Sequence, residues 1–549
     1  MNRRPMLVNV AGAAALLVTA CAEPADTPGQ DRGPGRVGGT IAIAASADAD
    51  NLLPPLTFSI QGKQISDQIF DNLADVGEKL NTVGDRGFSP RLAQRWSWSA
   101  DSTAIDFHLD PRARWHDGAP VRAEDVRFTL ALLKNPALGS PLAGNVEDVD
   151  SVSTPDSLTA RVWLKRRGPD SFFKIAAPIA ILPSHLLREL KPDAIRGSGF
   201  AQKPIGSGRF RFSAWDRGSR IVLTADSANY RGRPNTDRVI WLVSPDYAAA
   251  ALRFLSGEAD FIDVVRPEYL ARVREKGLRV VTTSGSLDYG YVGFNLRNKG
   301  GSQPHPVLGD RDVRRALVMS VDRAALVRNV FDTLGLVARG PATRVLPTSD
   351  TTLGPPYDTV AAGRMLDSLG WRRGGDGLRS RRGTPLRFSL MVPSSSATRM
   401  KLAVLLQEQW RKAGAEVRVE PLEVNTFGAQ MDARKFDSFL NAWHIDPNPA
   451  SVREEWTTAQ AAKGGYNVTN YRNPLFDAVI DSAAAEKDAG RSIVLYRRGY
   501  RILTDDAPGL WLYELRNAFG ISKRLEPGPI RADAWWSSLG NWRVTAARQ

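Results

Sequence analysis

Two short motifs contain residue types that catalysis often uses, and turn chemistry accounts for the first of them. Trp115-His116-Asp117-Gly118 places a histidine beside an aspartate. Neighbouring residues on a strand point to opposite faces, so this pair could not act on one substrate. Asp-Gly supplies the chemistry of a tight turn, and Glu124 and Asp125 follow where acidic side chains favour the first turn of a helix. We interpret the motif as a turn that leads into a helix.

The second motif, Gly206-Ser207-Gly208, does not match known catalytic loops. It lacks the Gly-x-Ser-x-Gly pattern of a nucleophile elbow and the Gly-Lys-Ser/Thr ending of a phosphate-binding loop, and we interpret it as a hinge-side loop. The five histidines are dispersed without metal-ligand spacing: His108, His116, His185, His305 and His444. The sequence therefore predicts neither an enzyme nor a cofactor, although one histidine could join a metal chelate held by the protein.

Cys21, the only cysteine, is predicted to carry a lipid. Arg3 and Arg4 form a positive start, the apolar run of residues 10–18 is too short to span a membrane, and Val18-Thr19-Ala20-Cys21 matches the bacterial lipobox. The alternative is a buried free cysteine that follows a short core helix. The small flanking residues favour a signal peptide that ends at residue 20, which implies an extracytoplasmic, membrane-anchored protein.

Composition argues against nucleic acid as a partner. The net charge is +14, but arginine is spread along the whole chain, and its densest run, residues 372–382, is Gly-rich. No DNA-binding motif accompanies it. A solvated basic surface facing anionic envelope polymers explains the charge better. Residues 22–38, rich in Pro, Gly and Asp, are typical of a flexible tether, and no later stretch is apolar enough to span a membrane.

The elements that must position any site alternate between strands and helices. Residues 39–44 have strand character, and apolar spacing predicts a helix over residues 64–73. Alternating apolar residues between 96 and 115 predict antiparallel strands, followed by a helix over residues 123–134. Residues 386–419 read as strand, helix and strand, which predicts a parallel β-α-β unit. The fold class is therefore α/β.

Several segments in this order resemble the family 5 extracellular solute-binding proteins, the dipeptide-, oligopeptide- and nickel-binding components of ABC importers. The segments that carry the resemblance are Arg114-Trp115-His116-Asp117-Gly118, Leu182-Pro183-Ser184-His185, Tyr291-Val292-Gly293-Phe294-Asn295, Trp443-His444-Ile445-Asp446-Pro447 and Asn470-Tyr471-Arg472-Asn473-Pro474. The resemblance implies a two-lobe, periplasmic-binding-protein-like fold with hinge strands and an extra, largely antiparallel subdomain in the first lobe. Hinge closure around a solute would report binding to a membrane partner.

The resemblance and the predicted elements divide the chain into seven parts. These are a signal peptide (1–20), a tether (21–38), three stretches before the crossover (first lobe 39–75, extra subdomain 76–195, first lobe 196–287), the second lobe (288–505) and a return to the first lobe (506–549).

The resemblance also nominates Asp446 as the main ligand-binding residue. In peptide-binding relatives an aspartate shortly after the tryptophan of this segment pairs with the ligand's α-amino group, and Asp446 matches that position. A buried ammonium needs such a partner because an unpaired buried charge costs several kcal/mol. The alternative is that Asp446 caps a helix that begins at Pro447.

Other ligand contacts are predicted from position alone. Ser394, Ser395 and Ser396 lie between a strand end and a helix start, where free N–H groups attract an anion such as a ligand carboxylate. Plain helix capping is the alternative. Aromatic walls are expected from Phe58, Tyr291, Trp443 and Trp456, unless these rings belong to the core.

We therefore expect a monomeric binding protein that captures a peptide-like ligand and delivers it to the permease subunits of an ABC importer. Three alternatives stay open. The same fold could bind a nickel chelate, a sugar oligomer or another small solute, or it could act as an adhesin or receptor without transport. A hydrolase is disfavoured because no nucleophile–base constellation is recognisable.

Overall fold

The computed structural model describes residues 38–350, 354–462 and 464–545. The predicted signal peptide and most of the tether lie outside these residues. The first stretch, up to residue 287, contains strands β1 (Thr40–Ala45), β2 (Ala74–Val76), β3 (Phe88–Pro90), β4 (Ala93–Trp98), β5 (Ala104–Leu109), β6 (Val149–Ser153), β7 (Thr159–Leu164), β8 (Phe210–Asp216), β9 (Arg220–Ala225), β10 (Arg238–Val243), β11 (Phe261–Ile262) and β12 (Arg279–Thr282). Its helices are α1 (Ile60–Ile69), α2 (Ala123–Lys134), α3 (Ser171–Ala176), α4 (Ser184–Leu187), α5 (Gly199–Gln202), α6 (Tyr247–Ser256) and α7 (Leu270–Glu275).

These strands build the sheet of the first lobe and the extra subdomain. In the seven-stranded sheet, β1 lies between β10 and β11 and is parallel to both, while β8 and β9 extend it as an antiparallel hairpin. Strands β4, β5, β7 and β6 form a separate antiparallel sheet, as predicted for the subdomain. Alternate residues of β5 are buried, because one face of this sheet packs on the core.

The stretch from residue 288 to 515 contains strands β13 (Asp288–Phe294), β14 (Gly335–Val337), β15 (Arg372–Arg373), β16 (Arg379–Arg381), β17 (Thr384–Pro385), β18 (Arg387–Pro393), β19 (Glu416–Leu422), β20 (Ser438–His444) and β21 (Gly509–Leu515). Its helices are α8 (Arg311–Met319), α9 (Arg323–Phe331), α10 (Thr359–Ser368), α11 (Ala397–Lys412), α12 (Val424–Asp432), α13 (Ser451–Trp456), α14 (Pro474–Ala485) and α15 (Ala489–Asp506). The chain then ends with β22 (Ala518–Ile521), β23 (Leu525–Glu526) and β24 (Arg543–Val544).

The second lobe is built on a six-stranded sheet with the order β14, β21, β13, β20, β18, β19. Strands β18 and β19 are parallel and joined by α11, which confirms the predicted β-α-β unit. The buried face of α11 includes Leu402, Leu406 and Trp410, so its apolar spacing fixes how the helix packs on the sheet.

The chain crosses between the lobes twice. The first link joins β12 of the first sheet to β13 of the second, and it contains the predicted boundary at residues 287 and 288. The prediction that the chain returns to the first lobe at residue 506 is wrong. Strand β21 still pairs with β13 and β14 in the second sheet, and the next strand, β22, is the one that pairs in the first sheet. The second crossover therefore lies at residues 516 and 517. The run of β21 is buried on both faces, so its sequence pattern does not reveal which sheet it joins.

The first helix also starts earlier than predicted. Helix α1 covers Ile60–Ile69 rather than residues 64–73, because the Ser59 side chain accepts a hydrogen bond from Gly62 N and caps the helix there. Leu73 is fully buried beyond the helix end, so a buried residue outside the helix continued the apolar spacing.

The two sequence motifs pack against each other beside the end of α1. The Trp115-His116-Asp117-Gly118 motif is a turn, as predicted, with Gly118 at φ +94° and its N–H donating to Trp115 O at 2.8 Å. His116 Nδ1 accepts from Gly206 N at 3.2 Å, and His116 Nε2 lies 2.9 Å from Gly208 O. Burial lowers the pKa of His116, which matches a neutral ring with Nε2 protonated. The His116 side chain therefore stabilises the Gly206-Ser207-Gly208 loop by hydrogen bonding to its backbone.

Gly206→Ala is expected to destabilise the first lobe by about 1–3 kcal/mol, in the range for overpacking. A Cβ at residue 206 would lie 1.9 Å from the carbonyl oxygen of Ile69, which is backbone and cannot swing aside. Urea denaturation measures the change. Gly199→Ala is the matched control, since a Cβ there meets nothing within 4 Å, and its stability should stay within about 0.5 kcal/mol of the parent. Equal stability of the two variants would contradict this packing.

Candidate functional site

A cavity of about 230 Å³ lies between the lobes, and residues from both of them line it. The first lobe contributes Lys63 and Asp67 from α1, Asp75 from β2, and the chain around Arg531. The second lobe contributes His444, Asp446 and Pro447, and the link between the lobes contributes Leu287. Thr82 of the extra subdomain also donates a hydrogen bond to the carbonyl of Pro447, so the lobes are in contact beside the cavity.

A chain of alternating charges forms the wall on the first-lobe side. Arg91 Nη2 lies 2.8 Å from Asp75, whose other oxygen is 3.0 Å from Arg531 Nη1, and Arg531 Nε is 2.9 Å from Asp533. Burial alone would raise the pKa of Asp75, but the charges of Arg91 and Arg531 outweigh it and lower that pKa to about 2. The stability that Asp75 contributes is therefore present above its ordinary pKa and lost as the pH falls toward 2.

Asp446 differs from the other carboxylates that line this cavity. Asp67 is paired with Lys63, and Asp75 and Asp533 are paired with arginines. Asp446 is exposed and forms no hydrogen bond or ion pair with any residue that the structure describes. The arrangement therefore offers a ligand one carboxylate that is not held in a hydrogen bond or ion pair by a protein cation, with His444 as its neighbour.

The helix-capping alternative for Asp446 is wrong. No helix begins at Pro447 in the described chain; α13 begins at Ser451, and its N-cap is Ala450. Asp446 therefore does not stabilise a helix terminus, so its replacement should not destabilise the protein through loss of a helix cap.

His444, beside Asp446, should titrate above its ordinary value. A hydrogen bond of 2.9 Å between His444 Nδ1 and Asp288 raises the pKa of the ring, with burial acting against it and Asp446 adding to it. NMR titration of the imidazole should give a midpoint above 6.5 in the wild type and a lower one in Asp288→Asn. A raised folded pKa means that the stabilisation is present at low pH and is lost as the pH rises through that midpoint. An unchanged midpoint in Asp288→Asn would contradict the pairing.

Three of the predicted aromatic residues meet in a second cavity, of about 160 Å³, within the second lobe. Tyr291 on β13, Trp443 on β20 and Trp456 at the end of α13 line it together with Tyr466. The rings of Tyr291 and Trp456 are 6.0 Å apart, and those of Trp443 and Tyr466 are 6.2 Å apart. We call this cavity the aromatic pocket. Tyr291 and Trp456 are almost fully buried, so they serve the core and line the pocket at once.

Glu455 supplies the aromatic pocket with a carboxyl group, although no sequence pattern marks it as a site residue. Its oxygens accept hydrogen bonds from Tyr289 Oη, at 3.0 Å, and from the indole N–H of Trp443. Burial raises the pKa of Glu455 to about 8, against these hydrogen bonds, which lower it. An acid in the run Arg453-Glu454-Glu455-Trp456 resembles any solvated helix face, so only the fold reveals its surroundings.

The remaining predicted contacts lie outside both cavities. Phe58 is 69% exposed, shortly before α1, and does not line either one. Ser396 caps α11 by accepting from Arg399 N at 3.3 Å, and Ser394 N donates to Leu422 O at 2.8 Å. The serine segment, including exposed Ser395, thus shows the capping alternative, and its role toward a ligand anion stays a prediction. Cys21 lies outside the described residues.

The described part of the chain contains neither a cluster of metal ligands nor a membrane-spanning helix. Among residues 38–350, 354–462 and 464–545, no three His, Cys, Asp or Glu side chains come together in a way that could hold a metal ion. None of the helices in this part of the chain combines the length and the apolar character needed to cross a bilayer.

Comparisons with known proteins give a family match and a shared fold. The sequence-family model described as bacterial extracellular solute-binding proteins, family 5 Middle, matches residues 87–464. The oligopeptide-binding protein AppA of Bacillus subtilis (strain 168) is 27% identical over 469 residues, which cover 84% of this chain and 83% of that protein.

Two solved structures share the whole architecture. The structure of AppA from Bacillus subtilis in complex with a nonapeptide has a TM-score of 0.71 at 25% identity, covering 93% of this chain and 100% of that one. NikZ from Campylobacter jejuni in complex with Ni(L-His) has a TM-score of 0.73 at 25% identity, covering 92% of this chain and 99% of that one.

Proposed function

Because the chain belongs to the family 5 bacterial extracellular solute-binding proteins, we propose that it captures a peptide between its two lobes and delivers it to the permease of an ABC importer. The family implies an extracytoplasmic location and binding of a solute rather than its chemical conversion. The similarity to the oligopeptide-binding protein AppA supports a peptide as the solute.

The unpaired state of Asp446 carries this proposal. A peptide has a free ammonium at one end, and an ammonium that leaves water needs a carboxylate partner. Asp446 is the lining carboxylate that has no ion pair with a described residue, and it lies on the second-lobe side of the interlobe cavity. Closure of the lobes would remove water around this pair and strengthen it.

Closure itself follows from the two links between the lobes. The chain passes between them at residues 283–287 and at residues 516 and 517, so a few residues can absorb a rotation. We expect small-angle X-ray scattering to show a smaller radius of gyration at saturating peptide than without it. An unchanged radius under those conditions would point to a rigid scaffold.

We further propose that Cys21 anchors the protein to a membrane through a lipid and that the protein acts as a monomer. Residues before Cys21 resemble a lipoprotein signal peptide, and stable anchoring requires more than one acyl chain. Metabolic labelling with a fatty-acid probe should tag the wild type and leave Cys21→Ser unlabelled. Equal labelling of both proteins would contradict the anchor.

A nickel chelate is the second candidate ligand, because NikZ bound to Ni(L-His) shares the fold at 25% identity. One experiment separates the candidates. Ligand retained by natively purified protein would be released and analysed by mass spectrometry for peptides and by elemental analysis for nickel. Peptides at near-stoichiometric amounts are expected. Stoichiometric nickel without peptide would replace the peptide proposal by the chelate.

A further inference from the structure

The aromatic pocket has the composition of a cation site. Four aromatic side chains line it, Tyr291, Trp443, Trp456 and Tyr466, and its lining contains two carboxylates, Asp432 and Glu455, but no Lys, Arg or His. The faces of aromatic rings carry negative charge density and attract cations, most strongly when water is excluded. A carboxylate among such rings adds a full negative charge.

We propose that the aromatic pocket binds one cationic group, a primary ammonium or a guanidinium, with Glu455 as its counter-ion. This inference rests on the proposed function, because the cation would be the end of a lysine or arginine side chain of the captured peptide. It adds a second anionic position to the site, distinct from Asp446, which lines the interlobe cavity. The two cavities meet at adjacent residues of the chain. Trp443 lines the aromatic pocket, and its neighbour His444 lines the interlobe cavity.

The size of the pocket limits the occupant to one side-chain end. Its volume is about 160 Å³, close to the cavity of roughly 150 Å³ that holds one benzene molecule in another protein. A peptide backbone with several side chains does not fit. A butylammonium or a guanidinium group does, and both carry their charge at the tip.

The hydrogen bonds around Glu455 favour an ion pair over a neutral contact. Tyr289 and Trp443 both donate to its oxygens, so two donors are in place to stabilise a carboxylate. Glu455 is half-buried, which leaves part of the side chain accessible. A cation that enters the pocket would supply the positive charge that the lining lacks.

Binding of a cation here should release a proton. The pKa of Glu455 is raised to about 8 by burial, so without a cation the Glu455 carboxyl group is mainly protonated at neutral pH, and a bound cation favours its ionised form. The titratable groups that face it are acids: Tyr289 and Tyr291 on β13, Glu454 on α13, Tyr500 on α15 and Asp432 at the end of α12. Affinity for a cation should therefore increase with pH, by about tenfold between pH 6 and pH 7.

The test uses butylammonium as the charged probe and 1-butanol as its neutral counterpart. Protein labelled with ¹⁵N-tryptophan reports binding through the indole N–H signal of Trp443, which Trp443→Phe identifies. In the wild type, butylammonium should shift this signal with at least tenfold higher affinity than butanol. Glu455→Gln keeps the shape and should lose that preference. Glu454→Gln is the matched control: its charge acts on Glu455 from a neighbouring cavity, so this variant keeps Glu455 and should keep the preference for butylammonium over butanol.

Equal affinities for butylammonium and butanol in the wild type, or wild-type butylammonium affinity in Glu455→Gln, would overturn the inference. The outcome is separable from that of the proposed function. A protein that binds butylammonium in this pocket but retains and titrates no peptide would contradict peptide capture and leave the cation site standing. A protein that binds peptides but shows no preference for butylammonium would contradict the cation site and leave peptide capture standing.

Discussion

Asp446→Asn is expected to weaken the binding of a peptide with a free amino terminus by about 2–5 kcal/mol, the range for truncating one partner of a buried charge pair. In Kd this is roughly 30-fold to several-thousand-fold. The reason is electrostatic. Asp446 has no ion pair with a described residue, so its charge is available to a ligand ammonium, and an amide cannot replace that charge.

Calorimetry with a free peptide and its N-acetylated form isolates this effect. The wild type should prefer the free amine, and Asp446→Asn should lose the preference. Asp67→Asn is the matched control: its carboxylate lines the same cavity but is already paired with Lys63 at 2.9 Å, so the preference should persist. Undiminished discrimination by Asp446→Asn would place the amino terminus elsewhere.

Folding should be little changed in Asp446→Asn. The carboxylate is exposed and makes no hydrogen bond within the described chain, and surface substitutions of this kind usually stay within about 0.5 kcal/mol. A loss of affinity can then be assigned to the ligand contact. Urea denaturation of both proteins provides the check.

Asp71→Asn should destabilise the first lobe by about 3–5 kcal/mol, because it removes the buried carboxylate that Arg91 and Arg231 share. Asp71 is fully buried; it accepts hydrogen bonds from Tyr230 Oη at 2.9 Å and Arg231 Nη2 at 2.6 Å, and Arg91 Nη1 lies 3.5 Å away. Arg91 also lines the interlobe cavity, so Asp71 supports the charged wall from behind. A neutral amide would leave Arg231 without its carboxylate partner and Arg91 with Asp75 alone.

Urea denaturation followed by tryptophan fluorescence measures this change, and the transition of the first lobe should shift to lower urea. Lys63→Gln is the control. It breaks the Lys63–Asp67 pair, in which the lysine side chain is 48% exposed, and exposed pairs contribute only about 0–1 kcal/mol. Similar losses of stability in the two variants would mean that the buried network around Asp71 stabilises the protein no more than an exposed ion pair does.

The sequence predicted the elements whose periodicity is strong and whose packing is local. Helix α2 begins and ends at the predicted residues, and the β18–α11–β19 unit was evident from one apolar helical face between two alternating strands. The turn at Trp115 was predictable because Asp-Gly demands a particular backbone. Each of these signals lies within about 40 residues of sequence.

The rest of the site depends on contacts between distant residues. Arg531 pairs with Asp75 across 456 positions. No local sequence pattern indicates that an arginine this far along the chain pairs with an aspartate of β2 in the cavity wall. Glu455 looks like a solvated acid until β13 and β20 place Tyr289 and Trp443 on it. Asp446 was found only through the resemblance, and its unpaired state became visible only in the fold.

A crystal structure of the complex with a peptide tests the central claim most directly. Capture between the lobes predicts peptide density in the interlobe cavity, with the amino terminus within hydrogen-bond distance of Asp446 and the chain running toward the wall formed by Arg91, Asp75 and Arg531. Peptide density on an outer surface, or in the cavity with its amino terminus away from Asp446, would contradict the account.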